Sequence, residues 1–375
     1  MTDFTALPDL ASRRLGGGVV FANNEFFAPA DYLIELASPG FRPKSFGPKG
    51  QIYDGWETKR RREPGHDHVV VRLGVPGVVR GVVIDTAHFT GNYPPYASIE
   101  ACGVEGYPSP DELADAPWIE LLPKVALAGD TQNTFAVEGQ QRVTHVRLSI
   151  YPDGGVARLR VHGEVVADPR LLGLPLVDLA ALESGGQVVD CSNMFYGSPN
   201  NLVMPGLAGN MGEGWETARR RDAGNDWVLI RLAVPGQIRL AELDTTHFKG
   251  NAPGRAGLRG ADARQVALDE PNSWFELLPV TRVQPDTRHR FAIASAPEVT
   301  HVRMDVYPDG GMARLRLLGV PSAVELGEIA ARWFNLLPES QAKGALADLS
   351  PADVQRLTDG RPLRATDLPP SLWSR

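Results

Sequence analysis

Cysteine is almost missing from this 375-residue chain. Only Cys102 and Cys191 are present, at non-equivalent places in a sequence that otherwise repeats itself. A repeated disulfide or thiolate site is thereby excluded, and two thiols in a reducing cytosol are the expectation. Long apolar runs are missing too. No stretch approaches the ~20 uninterrupted apolar residues of a membrane span, and the opening MTDFTALPDLASRRL has no apolar core of signal-peptide length. The expectation is a soluble, cytoplasmic protein with no membrane partner. An excess of positive charge is absent: the net charge is −7, which argues against a nucleic-acid partner. No His/Cys/Asp pattern has zinc spacing, since the pair His66 and His68 is broken in the second copy by Asn225. No glycine-rich phosphate loop or nucleophile elbow appears. No metal ligands and no cofactor are predicted, and the sequence leaves open whether a divalent ion is needed.

What the chain does have is a long internal duplication. Residues 56–77 read WETKRRREPGHDHVVVRLGVPG, and residues 215–236 read WETARRRDAGNDWVLIRLAVPG. IDTAHFTGN (84–92) is matched by LDTTHFKGN (243–251), and WIELLP (118–123) by WFELLP (274–279). Both copies close on YPDGG followed by ARLR, at 151–160 and 307–316. A period near half the chain makes each copy a whole domain rather than a solenoid unit. With 39 Gly and 31 Pro spread along the sequence, short strands joined by many turns are predicted. Each copy opens with a short helix ended by glycine and then a strand. His68 to Leu73 and Val78 to Phe89 are predicted as separate strands divided by a Val-Pro-Gly turn. The fold class is all-β: two tandem jelly-roll β-sandwiches, residues 1–170 and 171–320, with a short helical C-terminal tail over 321–375. Val324 to Leu337 has helical spacing, and Ser350-Pro351-Ala352-Asp353 reads as a capped helix start.

Period-2 alternation sorts the repeated polar residues by face. In 143–151, Val146, Leu148 and Ile150 share one face, and His145, Arg147 and Tyr151 the other. His301, Arg303 and Tyr307 match them. Arg158 and Arg160, with Arg314 and Arg316, extend this into a cationic face on what reads as a neighbouring strand. A solvated outer face and an anion-binding surface are both open readings. In DTxHFxGN, strand alternation puts His88 beside Ile84 and Thr86, with Asp85 opposite. A buried, hydrogen-bonded histidine and a functional one are again both open. Glu57 and Glu216 either pair with a neighbouring arginine or leave Arg61 and Arg220 to receive a carboxylate, which the planar guanidinium fork suits.

Taken together, GWETxRRR, DTxHFxGN, WxELLP and HVRxxxYPDGGxARLR resemble the allantoicase family, in both halves and over roughly residues 9–320. The resemblance implies two galactose-binding-like jelly rolls, a homo-oligomer, and hydrolysis of allantoate to ureidoglycolate and urea in purine degradation. That reaction needs a carboxylate receptor, an acid for the leaving nitrogen, and a base. The candidates for proton transfer are His88, His247, Asp85, Asp244, Glu57 and Glu216. Those for substrate binding are Arg61, Arg220, Arg158, Arg314, Tyr151, Tyr307, and Asn92 and Asn251, whose amides both donate and accept. The competing reading is a non-catalytic ligand- or sugar-binding tandem jelly roll, since fold alone does not decide function.

Overall fold

A computed structural model describes residues 3–294 and 296–373. The first repeat contains β1 (Gly18–Ala22), β2 (Phe46–Gly47), β3 (Gly50–Gln51), β4 (Trp56–Glu57), β5 (Asp67–Asp85), β6 (Tyr96–Cys102) and α1 (Pro110–Ala114). There follow β7 (Ile119–Ala126), β8 (Gln132–Ala136), β9 (Val143–Tyr151), β10 (Gly155–Val156), β11 (Arg158–Val165) and α2 (Pro169–Leu172). The second repeat runs through the same order of principal strands, with its long strand at Asp226–Asp244. Each opening helix is a single 3-10 turn, Arg13–Leu15 or Leu182–Ser184, closed by a left-handed glycine, Gly16 or Gly185.

The Val-Pro-Gly segment does not divide two strands as the sequence pattern predicts. β5 runs through it unbroken for 19 residues. Proline has no N–H to give to a ladder, and pairing with β9 lapses between Arg72 and Gly77. Beyond that point the strand takes new partners, β11 and β8. The first half of β5 lies in the order β1-β5-β9-β6-β7, while the second half pairs β8 and β11. One strand thus serves both layers of a sandwich. Val69, Val71, Leu148 and Ile150 from one layer and Val82, Ile84, Leu159 and Val161 from the other form a single buried cluster. The apolar face expected at Val146, Leu148 and Ile150 is the core face.

The cationic face is corrected by the same topology. β9 and β11 are not neighbours, because each pairs a different half of β5. Nor is His145 on a solvated surface. It is buried beside its cross-strand neighbour Cys102, which joins Val70 and Leu113 of α1 in a small outer cluster. Burial, with a lesser contribution from Arg72, pushes the His145 imidazole down to about 4.

The tail is helical, with α3 (Ala323–Leu336), α4 (Glu339–Ala345) and α5 (Pro351–Asp359). Ser350 caps α5 as expected, accepting from the Asp353 N–H at 3.2 Å. By their internal contacts, residues through Val166 group with Trp333–Pro362, and Ala167–Arg332 with the residues from Leu363 on. Within the first group, the Arg142 N–H donates to Leu336 O at 2.8 Å. Within the second, Arg264 bridges Asp262, Glu298 and Glu325 and ties the start of α3 to its repeat.

A neutral, buried His145 must take up a proton when the chain unfolds below the ordinary histidine pKa. Its depressed native pKa therefore costs stability as pH falls from about 6.5 to about 4, on the order of 3 kcal/mol in all. Above about 6.5 the term vanishes, and below about 4 it is constant. His145→Leu is expected to flatten the stability–pH slope inside that window, measured by denaturant unfolding. An unchanged slope would show that His145 titrates like an exposed histidine.

Candidate active site

The repeated motifs meet around one aromatic ring in each repeat. Phe89 is fully buried, as is its equivalent Phe248. A Cβ on Gly155 would lie 2.0 Å from the Phe89 ring, and one on Gly55 would lie 2.9 Å from it. In the second repeat the corresponding distances from Gly311 and Gly214 to Phe248 are 1.9 and 2.7 Å. The glycines of GWET and YPDGG are thus required by the phenylalanine of DTxHFxGN. Backbone bonds complete the joint: Gly155 N–H donates to Asn92 O at 2.7 Å, and Gly311 N–H to Asn251 O at 2.8 Å.

At this joint stands a carboxyl–amide pair. Asn92 Nδ2 donates to Glu57 Oε1 at 2.8 Å, and Asn251 Nδ2 donates to Glu216 Oε1 at 2.6 Å. Glu57 is half-buried, and that burial raises its carboxyl above the usual range despite the bond from Asn92. A carboxyl so raised keeps its proton to higher pH than an exposed glutamate does, which favours a role as an acid.

His88 lies outside the strand where alternation placed it. β5 ends at Asp85, and His88 has a left-handed φ of 68°, as His247 has at 74°. The aspartates build this turn. Asp85 Oδ1 accepts from the Ala87 N–H and Asp244 Oδ1 from the Thr246 N–H, each at 2.8 Å. Asp130 and Asp286, which the sequence reading did not single out, accept the His88 and His247 N–H groups at 2.7 and 2.8 Å. The imidazoles are half-buried. Each Nε2 meets a backbone carbonyl, Pro39 O at 3.2 Å or Ala208 O at 2.9 Å. His88 also stacks on Phe41 at 5.3 Å.

Phe41 belongs to a cavity of about 660 Å³ in the first repeat, also lined by Tyr32, Glu35, Arg42, Tyr53, Asp54 and Arg158. Arg158 is buried, with Nε on Ala37 O at 2.9 Å and Nη2 on Asp54 Oδ2 at 3.0 Å. Burial works against an ionised Asp54. The bonds from Arg158 and Gly40 and the charges of Arg158 and His88 outweigh it and hold its carboxyl below the usual range. Arg314 likewise donates to Gly206 O at 3.1 Å and to Glu213 O at 2.7 Å. Both arginines hold the loop that precedes Gly-Trp. The acidic residue before Gly-Trp in each copy, Asp54 or Glu213, was the legible but overlooked signal for this contact.

The middle arginines of the triplets are also committed. Arg61 bonds the buried Asp67 at 2.6 Å and Arg220 the buried Asp226 at 2.7 Å. Arg60, Arg62, Arg219 and Arg221 are exposed. Tyr151 and Tyr307 have other neighbours. Tyr151 OH is 3.0 Å from Ser98 Oγ, and Tyr307 borders a second cavity with Arg255 and Arg282. Among the described residues, no cluster of three or more His, Cys, Asp or Glu is arranged to hold a metal ion, and no helix is long and apolar enough to cross a membrane.

Two mutations test the joint. Gly155→Ala is expected to destabilise the fold by at least about 2 kcal/mol through overpacking, and Phe89→Ala by about 3–5 kcal/mol through a cavity. Wild-type melting temperatures for both would show that the ring does not hold the motifs together.

A family model described as the allantoicase repeat matches residues 8–166 and again 177–322. A probable allantoicase of Nocardia farcinica is 58% identical over 321 residues, covering 84% of this chain and 95% of that protein. One from Streptomyces coelicolor is 49% identical over 346 residues, covering 89% and 90%. The crystal structure of allantoicase from Saccharomyces cerevisiae superimposes with a TM-score of 0.72 at 34% identity, covering 83% of this chain and 92% of that one.

Proposed function

The chain belongs to the allantoicase family, and we propose that its hydrolysis of allantoate is carried by the carboxyl–amide pairs Glu57–Asn92 and Glu216–Asn251. Function as an allantoicase-type hydrolase of allantoin degradation follows from the family. The competing non-catalytic jelly roll loses its ground with that membership. Which residues do the work is our reading. The observation that carries it is the half-buried Glu57, raised by burial and held by Asn92 at the point where all three motifs meet.

Allantoate carries a carboxylate and two ureido groups on one carbon. In this reading the protonated Glu57 gives its proton to the ureido nitrogen as the carbon–nitrogen bond breaks and urea leaves. Water adds its oxygen to the carbon, and its proton returns to the carboxylate, so acid and base are one group. Asn92 turns the glutamate toward the ureide and offers it an amide partner of matching chemistry. The exposed arginines flanking the committed one, Arg60 and Arg62 or Arg219 and Arg221, receive the substrate carboxylate. Arg61, Arg158, Asp85 and their equivalents position the loops. We read the protein further as a cytoplasmic homo-oligomer without nucleic-acid or membrane partners. The acidic balance, two free thiols and exposed aromatic pairs at Phe26–Phe27 and Phe195–Tyr196 support this.

A second reading gives proton transfer to His88, because it stacks against the wall of the 660 Å³ cavity and its charge reaches Asp54. Urea release per folded molecule separates the two. Glu57→Gln with Glu216→Gln is expected to lower turnover by ~10²–10⁴-fold at an unchanged melting temperature. If that pair keeps full turnover and His88→Ala with His247→Ala does not, the histidine reading replaces the first.

A further inference from the structure

The two repeats differ where Tyr307 lies. Arg255 and Arg282 face each other directly across antiparallel strands, and Arg255 also pairs with Tyr307 on its other side. Both arginines are exposed. Like charges directly opposite in a sheet are unfavourable, yet among the described residues neither guanidinium has an acidic partner. Other arginines on these strands are matched: Arg259 and Arg303 both bond Asp305, each at 2.9 Å. Arg255 lies 5.8 Å from the Tyr307 ring, a weak contact. Together with Gly254, Pro308 and residues 222–224, these side chains border a cavity of about 520 Å³. The one carboxylate there, Asp222, accepts from Arg220 Nε and Nη2 at 3.0 and 3.1 Å and from the Gly224 N–H at 2.8 Å. Arg220 also bonds the buried Asp226 at 2.7 Å, so its single charge is shared by two carboxylates, and Arg220, Arg255 and Arg282 against Asp222 and Asp226 leave the site one positive charge in excess.

The first repeat shows what the same position looks like without this excess. In the same register stand Tyr96 and Ala126. The nearby cation there, Lys124, is covered by the Tyr151 ring at 4.3 Å and the Tyr96 ring at 5.1 Å. The equivalent of Lys124 in the second repeat is Val280. The first repeat covers its cation at this position with two aromatic rings, and the second lines the position with arginine.

We infer that the second repeat carries a binding site for a compact oxyanion, bridged by Arg255 and Arg282 with the Tyr307 hydroxyl at its edge. Two guanidinium forks set on adjacent strands suit an oxyanion with several acceptors. The cavity shares no lining residue with the Glu216–Asn251 pair, His247 or Arg314. Phosphate groups and dicarboxylates both have this chemistry.

The test is calorimetric titration of the whole protein at low salt with inorganic phosphate and, separately, with malonate. The variant Arg255→Tyr with Arg282→Ala installs the first repeat's residues in the same register, so the fold is expected to hold. Its melting temperature without anion should equal or exceed that of wild type, and the single variant Arg282→Ala is a second measure. Wild type should bind one or both anions, more weakly as sodium chloride is raised. The double variant should lose affinity by about tenfold or more. Binding of phosphate alone assigns the site to phosphate esters, and binding of malonate alone to carboxylates. No binding by wild type, or equal binding by the folded variants, overturns the inference. The titration reads binding at the second repeat and is separate from the turnover test on Glu57 and Glu216.

Discussion

The Phe89 ring lies in a slot whose walls are backbone. Gly55 comes from one side and Gly155 from the other, and a single methyl group on either would overlap the ring. Phe248 is held the same way between Gly214 and Gly311. Three motifs that are far apart in the chain are thereby brought to one point. The polar residues beside them, Glu57 with Asn92 and Glu216 with Asn251, inherit their positions from this contact. Van der Waals exclusion at close packing tolerates little error, so the contact sets geometry as well as stability.

The second organising feature is the long strand that belongs to both layers of each sandwich. Because β5 changes partners at the proline, its far end emerges among β8, β11 and the loops. Asp85 closes the strand and opens the turn that carries His88 and Phe89 with its own side chain. The left-handed φ at His88 and His247 is uncommon for a residue with a side chain. It is stabilised by Asp130 and Asp286, which take the histidine N–H groups. The same local arrangement in both repeats indicates that the turn is a designed feature of the fold rather than an accident of one copy.

Around this shared frame the repeats have diverged. The first keeps an aromatic cavity with Phe41, Tyr53 and Arg42 next to its histidine, whereas residues 197–214 of the second supply no arginine or tyrosine. The second keeps Arg255 and Arg282 where the first has Tyr96 and Ala126. Duplication followed by loop change is the ordinary way for one scaffold to hold two sites.

What the sequence determined by itself is the duplication, the β-sandwich class, the helical tail and the residue types that gather at the site. Each of these is a local or repeated pattern: alternation along Val146, Leu148 and Ile150, glycine at fixed places, and a capping serine before α5. The tertiary structure alone decided which polar groups are free and which are committed. Arg61, Arg158 and Arg220 read as substrate ligands in one dimension, and the structure gives each a carboxylate partner within its own repeat: Asp67, Asp54 and Asp226. His145 read as surface and is buried beside Cys102, which packs with Leu113 of α1 in a cluster that strand alternation does not reveal. The Val-Pro-Gly segment read as a turn and is a strand, because the partner that continues its ladder lies some 80 residues later. Burial and pairing are sums over neighbours that only folding brings together, and they decide whether a charged side chain holds the fold or meets a ligand.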